Sequence, residues 1–125
     1  MAVQLYTAIA AFANNIVEAD GMDAAKAMVE DCCEGFRNAA HKAGPDADAF
    51  RHSFENSAPG GVCDAAIMDG GLAFHSEMAQ EVGPVMEAEG MDAAVALVNA
   101  RCDKFKAACH ATGPEGPEKF AELYG

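Results

Sequence analysis

Large apolar residues recur at helical spacing along most of the chain. Leu5, Ile9, Phe12 and Ile16 fall at steps of four, three and four, which predicts an amphipathic helix over 3–17. Asp20-Gly21 breaks it, and Asp23 places a negative charge in the first turn of the next helix, so a tight helical hairpin is expected. The second helix, over 22–43, carries Met22, Ala25, Val29, Cys33, Phe36 and Ala40 on one side and stops at Gly44-Pro45. Phe50 and Phe54, one turn apart within 46–54, predict a short helix that lays two rings on the bundle. The breaker residues of 55–61 predict a loop. Beyond it, Ile67, Phe74, Met78, Val82 and Val85 form the stripe of a third long helix, interrupted by Gly70-Gly71 near its start and Gly83-Pro84 near its end, where proline removes a backbone hydrogen bond and bends the helix.

The pattern then repeats. At a constant offset of 69 positions Gly21 maps to Gly90, Asp23 to Asp92, Val29 to Val98, Cys33 to Cys102, Phe36 to Phe105, His41 to His110 and Pro45 to Pro114, without a gap. The fourth long helix keeps the stripe as Met91, Ala94, Val98, Cys102, Phe105 and Cys109, and Phe120 with Tyr124 reproduces the short aromatic helix. The expected architecture is all-α: a four-helix bundle made of two tandem αα-hairpin repeats, about 5–54 and 74–124, with short additional helices, in a single domain over 1–125. Phe36 and Phe105 are expected to lie close together in the shared core.

Charge narrows the partners. Twenty acidic residues against eight basic ones give a formal charge of −12, the opposite of the basic footprint that phosphate backbones require, so no nucleic-acid partner is expected. Anionic membrane surfaces are disfavoured for the same reason. No apolar run approaches the roughly 18 residues of a membrane span, and residues 1–4 lead straight into an amphipathic pattern, so no membrane insertion and a cytoplasmic or other intracellular soluble compartment are expected. Five cysteines at spacings that fit neither a secreted framework nor a zinc ribbon are expected to be reduced. The abundance of Ala, Gly and Met, with no Trp, suggests thin helices and an adaptable interior.

Candidate chemistry is sparse. Cys33 and Cys102 occupy equivalent stripe positions and read as small buried hydrophobes that could face each other across a twofold axis. His41 and His110, each in the last turn of its helix, read as caps for the terminal carbonyls. No glutamate precedes a histidine at the diiron spacing within a helix, and no nucleophile elbow, phosphate loop, metalloprotease motif or EF-hand loop occurs, so no catalytic or metal-ligating residue is assigned. The departures from the repeat concentrate between Gly70 and Pro84. Gly71, Phe74, His75, Met78 and Val82 are therefore the candidate ligand-binding residues, with His75 as the polar contact.

The stretches Gly21-Met-Asp-Ala-Ala, Cys32-Cys-Glu-Gly-Phe36, Ser57-Ala-Pro-Gly-Gly-Val-Cys63 and Asp69-Gly-Gly-Leu-Ala-Phe-His75 resemble the short helical N-terminal region shared by dinoflagellate luciferase and luciferin-binding protein. The similarity covers most of the chain. In that family light emission and the binding of luciferin, an open-chain tetrapyrrole, are attributed to larger downstream domains, so the resemblance implies an accessory helical module. The pH-sensing histidines of the luciferase lie in regions with no match here, and none is carried over. The expected function is a small non-catalytic binding or assembly module with a protein partner or a second copy, and an apolar small molecule as a possible ligand. The alternative is a carrier of a tetrapyrrole or similar flat apolar cofactor, and a small enzyme stands third.

Overall fold

The computed structural model describes residues 2–57, 64–113 and 116–125. The fold is all-α. Six helices follow one another: α1 (Ala2–Asp20), α2 (Met22–Ala43), α3 (Ala47–Ser57), α4 (Ala65–Glu89), α5 (Met91–Thr112) and α6 (Pro117–Tyr124). Most of the loop expected over 55–61, together with Cys63, lies outside the described residues; residues 55–57 complete α3 instead of leaving it.

A single glycine joins the helices of each hairpin. Gly21 has φ 95° and ψ 174°, and Gly90 has φ 97° and ψ 179°, a left-handed φ that side chains resist. The N–H of Gly90 closes α4 on the carbonyl of Met86, and that of Gly21 reaches the carbonyls of Ile16 and Val17. α3 is capped by Asp46, whose Oδ1 accepts from the N–H groups of Asp48 and Ala49. Asp64 does the same for α4 through the N–H of Ala66.

The four long helices pack as a ring, α1 on α2, α2 on α5, α5 on α4 and α4 back on α1. α3 lies across α2 and α4, and α6 across α5 and α1. Exchanging the two repeats maps this set of pairings onto itself. The interior repeats the symmetry in its rings: Phe36 meets Phe50 edge-on at 5.2 Å, and Phe105 meets Phe120 edge-on at 5.3 Å. Phe36 and Phe105 stack on one another at 6.5 Å, so the two stripes meet as the repeat requires.

Three features differ from the sequence reading. The buried face of α1 is Leu5, Tyr6, Ile9, Ala10 and Ala13, while Phe12 is 38% exposed. α1 is covered by α2 on one side and α4 on the other, so its buried arc is turned toward the small residues that let both approach. Met22 and Met91, placed on the core stripes, are exposed at the first turns of α2 and α5. Finally, neither Gly70-Gly71 nor Gly83-Pro84 interrupts α4, which runs unbroken to Glu89. A Cβ on Gly70 would lie 2.7 Å from the Cα of Leu5, so that glycine sets the α1–α4 distance. Gly70→Val is expected to force the two helices apart and to lower stability by about 2–3 kcal/mol; an unchanged melting temperature would show the contact to be yielding.

Candidate ligand site between the repeats

The five candidate residues on α4 do not share one pocket. A Cβ on Gly71 would meet Cε2 of Phe54 at 2.7 Å, so the space released by the glycine is filled by that ring. Phe74 is buried between Phe36 and Phe105, at 5.0 and 5.3 Å between ring centroids. Phe74 and Met78 also form the floor of an open cleft of about 460 Å³ whose other walls include Glu77, Glu81, Arg101 and Tyr124. Arg101 grips Glu81 there with two bonds of 2.6 and 2.7 Å. Val82 lines a different and smaller space.

His75 is 1% exposed and is held in place by two contacts. Its ring stacks on Phe50 at 4.2 Å, and its Nε2 lies 2.8 Å from the carbonyl oxygen of Gly44. A carbonyl only accepts, so Nε2 carries the proton and Nδ1 the lone pair; Nδ1 has no partner among the described residues. Burial lowers the pKa of His75, opposed by the bond to Gly44 and the charge of Asp46. The imidazole is thus a neutral donor that closes the end of α2.

Its twin was not apparent in the stripe of α1. The hydroxyl of Tyr6 donates to the carbonyl of Gly113, and the Tyr6 ring stacks on Phe120 at 4.3 Å. Tyr6 and His75 are 69 positions apart, as are Gly44 and Gly113. Each repeat therefore uses an aromatic donor on its first helix to cap the second helix of the other. That register was legible: the offset that pairs Gly44 with Gly113 places Tyr6 opposite His75. Burial, then the neighbouring Cys109, pushes the Tyr6 hydroxyl up to about 12, which keeps it a donor. Tyr6→Phe is expected to cost about 1 kcal/mol in denaturant unfolding; a loss within error would mean that water replaces the bond.

Beside each cap lies a cleft, and the two clefts occupy equivalent positions, although Tyr6, Ile9 and Ala10 line only the first and Met86 only the second. In the first, Ala13 of α1, Met22, Ala25, Lys26 and Val29 of α2, and Cys109, His110 and Gly113 of α5 surround a cavity of about 60 Å³. In the second, the equivalent positions are Val82, Met91, Ala94, Val95 and Val98, with Ala40, His41 and Gly44, around about 30 Å³. No family model matches the chain, and no curated protein or solved structure is similar to it. The geometry of the clefts is therefore the guide to their chemistry. The first is the larger, with Ala13 where the second has Val82, and it alone has a cation at its mouth, Lys26 in place of Val95.

The histidines beside these clefts do not cap helix ends. The terminal carbonyls of Ala40 and Cys109 accept from the N–H groups of Gly44 and Gly113. His110 lies instead 3.2 Å from Glu30 of α2, which also binds Lys106 at 2.8 Å and has its pKa lowered chiefly by that bond. His41 is exposed at the second cleft.

The four described cysteines, Cys32, Cys33, Cys102 and Cys109, are buried thiols. Burial pushes Cys102 up to about 12, and a hydrogen bond with Cys33, together with burial, raises Cys109. Cys102 and Cys109 are thus neutral thiols that pack as small hydrophobes and are poor nucleophiles. Among the described residues no group of three His, Cys, Asp or Glu side chains is arranged to hold a metal ion. No helix among them is long and apolar enough to cross a membrane.

Proposed function

We propose that the chain is a non-catalytic binding module in which two equivalent clefts between the repeats receive apolar groups, either side chains of a protein partner or parts of small molecules. The observation that carries this reading is the duplicated cleft with an exposed methionine at each mouth, Met22 at 47% and Met91 at 61% exposure. Methionine is flexible and polarizable, and it recurs where surfaces adapt to varied apolar partners. The polar groups beside the clefts support the same reading: Tyr6 and His75 are engaged in holding the repeats together, and Cys109 is kept as a neutral thiol.

Xenon provides the test, because it enters apolar cavities without needing polar contacts. Dissolved xenon is expected to shift amide resonances along both clefts, over 10–13, 25–29 and 109–113 and over 40–44, 82–86 and 94–98. Shifts confined to other parts of the bundle would remove the reading.

The carrier of a flat apolar cofactor is kept as a second reading because of one observation, the cleft of about 460 Å³ floored by Phe74 and Met78. Its walls carry Glu77, Glu81 and Arg101, so a tetrapyrrole there would lie with one face on rings and its edge among charges. A visible absorption band in protein purified from its native source would favour this reading over the first.

A further inference from the structure

The two clefts lie at equivalent positions of the two sequence repeats, and their differences say what each can hold. Among the α1 residues that line the first cleft is Ala13, where the second has Val82, and the cavity is about 60 Å³ against about 30 Å³. A space of 60 Å³ accommodates several heavy atoms, where 10–15 Å³ suffices for one water. The walls of Ile9, Ala10, Ala25 and Val29 give that space apolar surfaces on two helices. A short aliphatic tail matches that size and those surfaces.

The mouth adds a charge. Lys26 stands at the position occupied by Val95 in the copy, and its side chain lines the cleft while remaining exposed. Glu30 lies one turn further along α2, but its carboxylate is already held by Lys106 at 2.8 Å and faces His110 at 3.2 Å. The ammonium of Lys26 is within four residues of that satisfied carboxylate and forms no ion pair among the described residues. The charge of −12 spread over the surface opposes an anion at long range, but screening over about 8 Å at physiological salt leaves the nearest charges to decide.

We infer that the first cleft, and not its copy, is a site for a small straight-chain carboxylate, with the tail between α1 and α2 and the carboxylate on Lys26. This rests on the reading of the clefts as apolar binding sites and adds the chemistry of one of them. Affinity is on the order of millimolar, because a tail of four carbons releases little apolar surface and an exposed ion pair adds little.

The full chain, isotope-labelled, is titrated with sodium pentanoate, with 1-pentanol and with pentylamine, and amide shifts are followed. Pentanoate is expected to give saturable shifts over 10–13, 25–29 and 109–113, and to bind more tightly than pentanol or pentylamine. Lys26→Val, which installs the residue of the copy, is expected to weaken pentanoate about three- to fivefold and to leave pentanol unchanged. Ala13→Val, likewise borrowed from the copy, is expected to weaken both. Because the second repeat already accommodates these valines at equivalent positions, both variants are expected to fold, and the dispersion of their spectra checks this. Equal binding of pentanoate by the wild-type chain and Lys26→Val, or a preference for pentylamine, overturns the carboxylate site while xenon in the clefts keeps the broader reading. Shifts that are indifferent to Ala13→Val, or that follow the second cleft, overturn the placement.

Discussion

Phe36→Ala is expected to remove about 3–5 kcal/mol of stability, and Phe105→Ala a similar amount. Phe36 lies within 5.0 to 6.5 Å, centroid to centroid, of Phe50, Phe54, Phe74 and Phe105, and is 2% exposed. Truncation leaves a void bordered by four rings carried on α3, α4 and α5. Rings fixed on separate helices close such a void only if the helices move, so little of the lost contact is recovered. Phe105 has the equivalent surroundings in Phe36, Phe74, Phe120 and Tyr124. Since the two rings stack at 6.5 Å and share Phe74 as a neighbour, the double substitution is expected to cost less than the sum of the single ones. Urea unfolding of the three variants measures this. A loss below about 1 kcal/mol for Phe36→Ala would mean that the bundle collapses into the space and that the aromatic cluster does not determine the helix spacing.

The aromatic centre was legible because periodicity and repetition agreed on it. Phe36 and Phe105 stand on stripes of period 3.6, end at the same Gly-Pro signal and align without a gap, so both their burial and their proximity followed. The departures arise where a stripe depends on its neighbours. Phe12 has the spacing of a core residue and is exposed, because α1 is sandwiched between α2 and α4 and turns its alanines inward. Gly71 suggests open space by its missing side chain, and it is instead the seat of the Phe54 ring. Sequence shows that a side chain is missing but not which neighbour moves into the vacancy.

The candidate site was legible in part. The departures of α4 from the repeat pointed to His75, whose role is shared with Tyr6 and is structural. Two of the differences between the clefts, Ala13 against Val82 and Lys26 against Val95, are single residues on repeated helices. Neither alters a hydrophobic period or a helix signal. Only the meeting of α1, α2 and the end of α5 around one cavity shows that these positions belong together.

Acid should weaken the fold through His75 before the carboxylates protonate. Burial holds the imidazole of the folded chain below its ordinary value of 6.5, so as pH falls the unfolded chain takes up the proton first. The contribution of this residue is therefore complete above about pH 6.5 and is lost as pH falls through the lowered value, at no more than about 1.4 kcal/mol per pH unit for one group. The ring is enclosed by Phe50 and the Gly44 carbonyl, and the charge of Asp46 favours protonation less than burial opposes it. His75→Phe keeps a ring against Phe50, removes the titration and leaves the Gly44 carbonyl without its donor. It is expected to lose about 1–3 kcal/mol at pH 7 and to show a flatter stability profile between pH 7 and 5 than the wild-type chain. His75→Ala adds a void beneath Phe50 and is expected to lose about 3 kcal/mol or more. The other histidines and the Glu30 cluster are present in both chains, so the difference in slope between wild type and His75→Phe belongs to residue 75 alone. Parallel profiles across that range would show that the fold tolerates a charged imidazole at the end of α2.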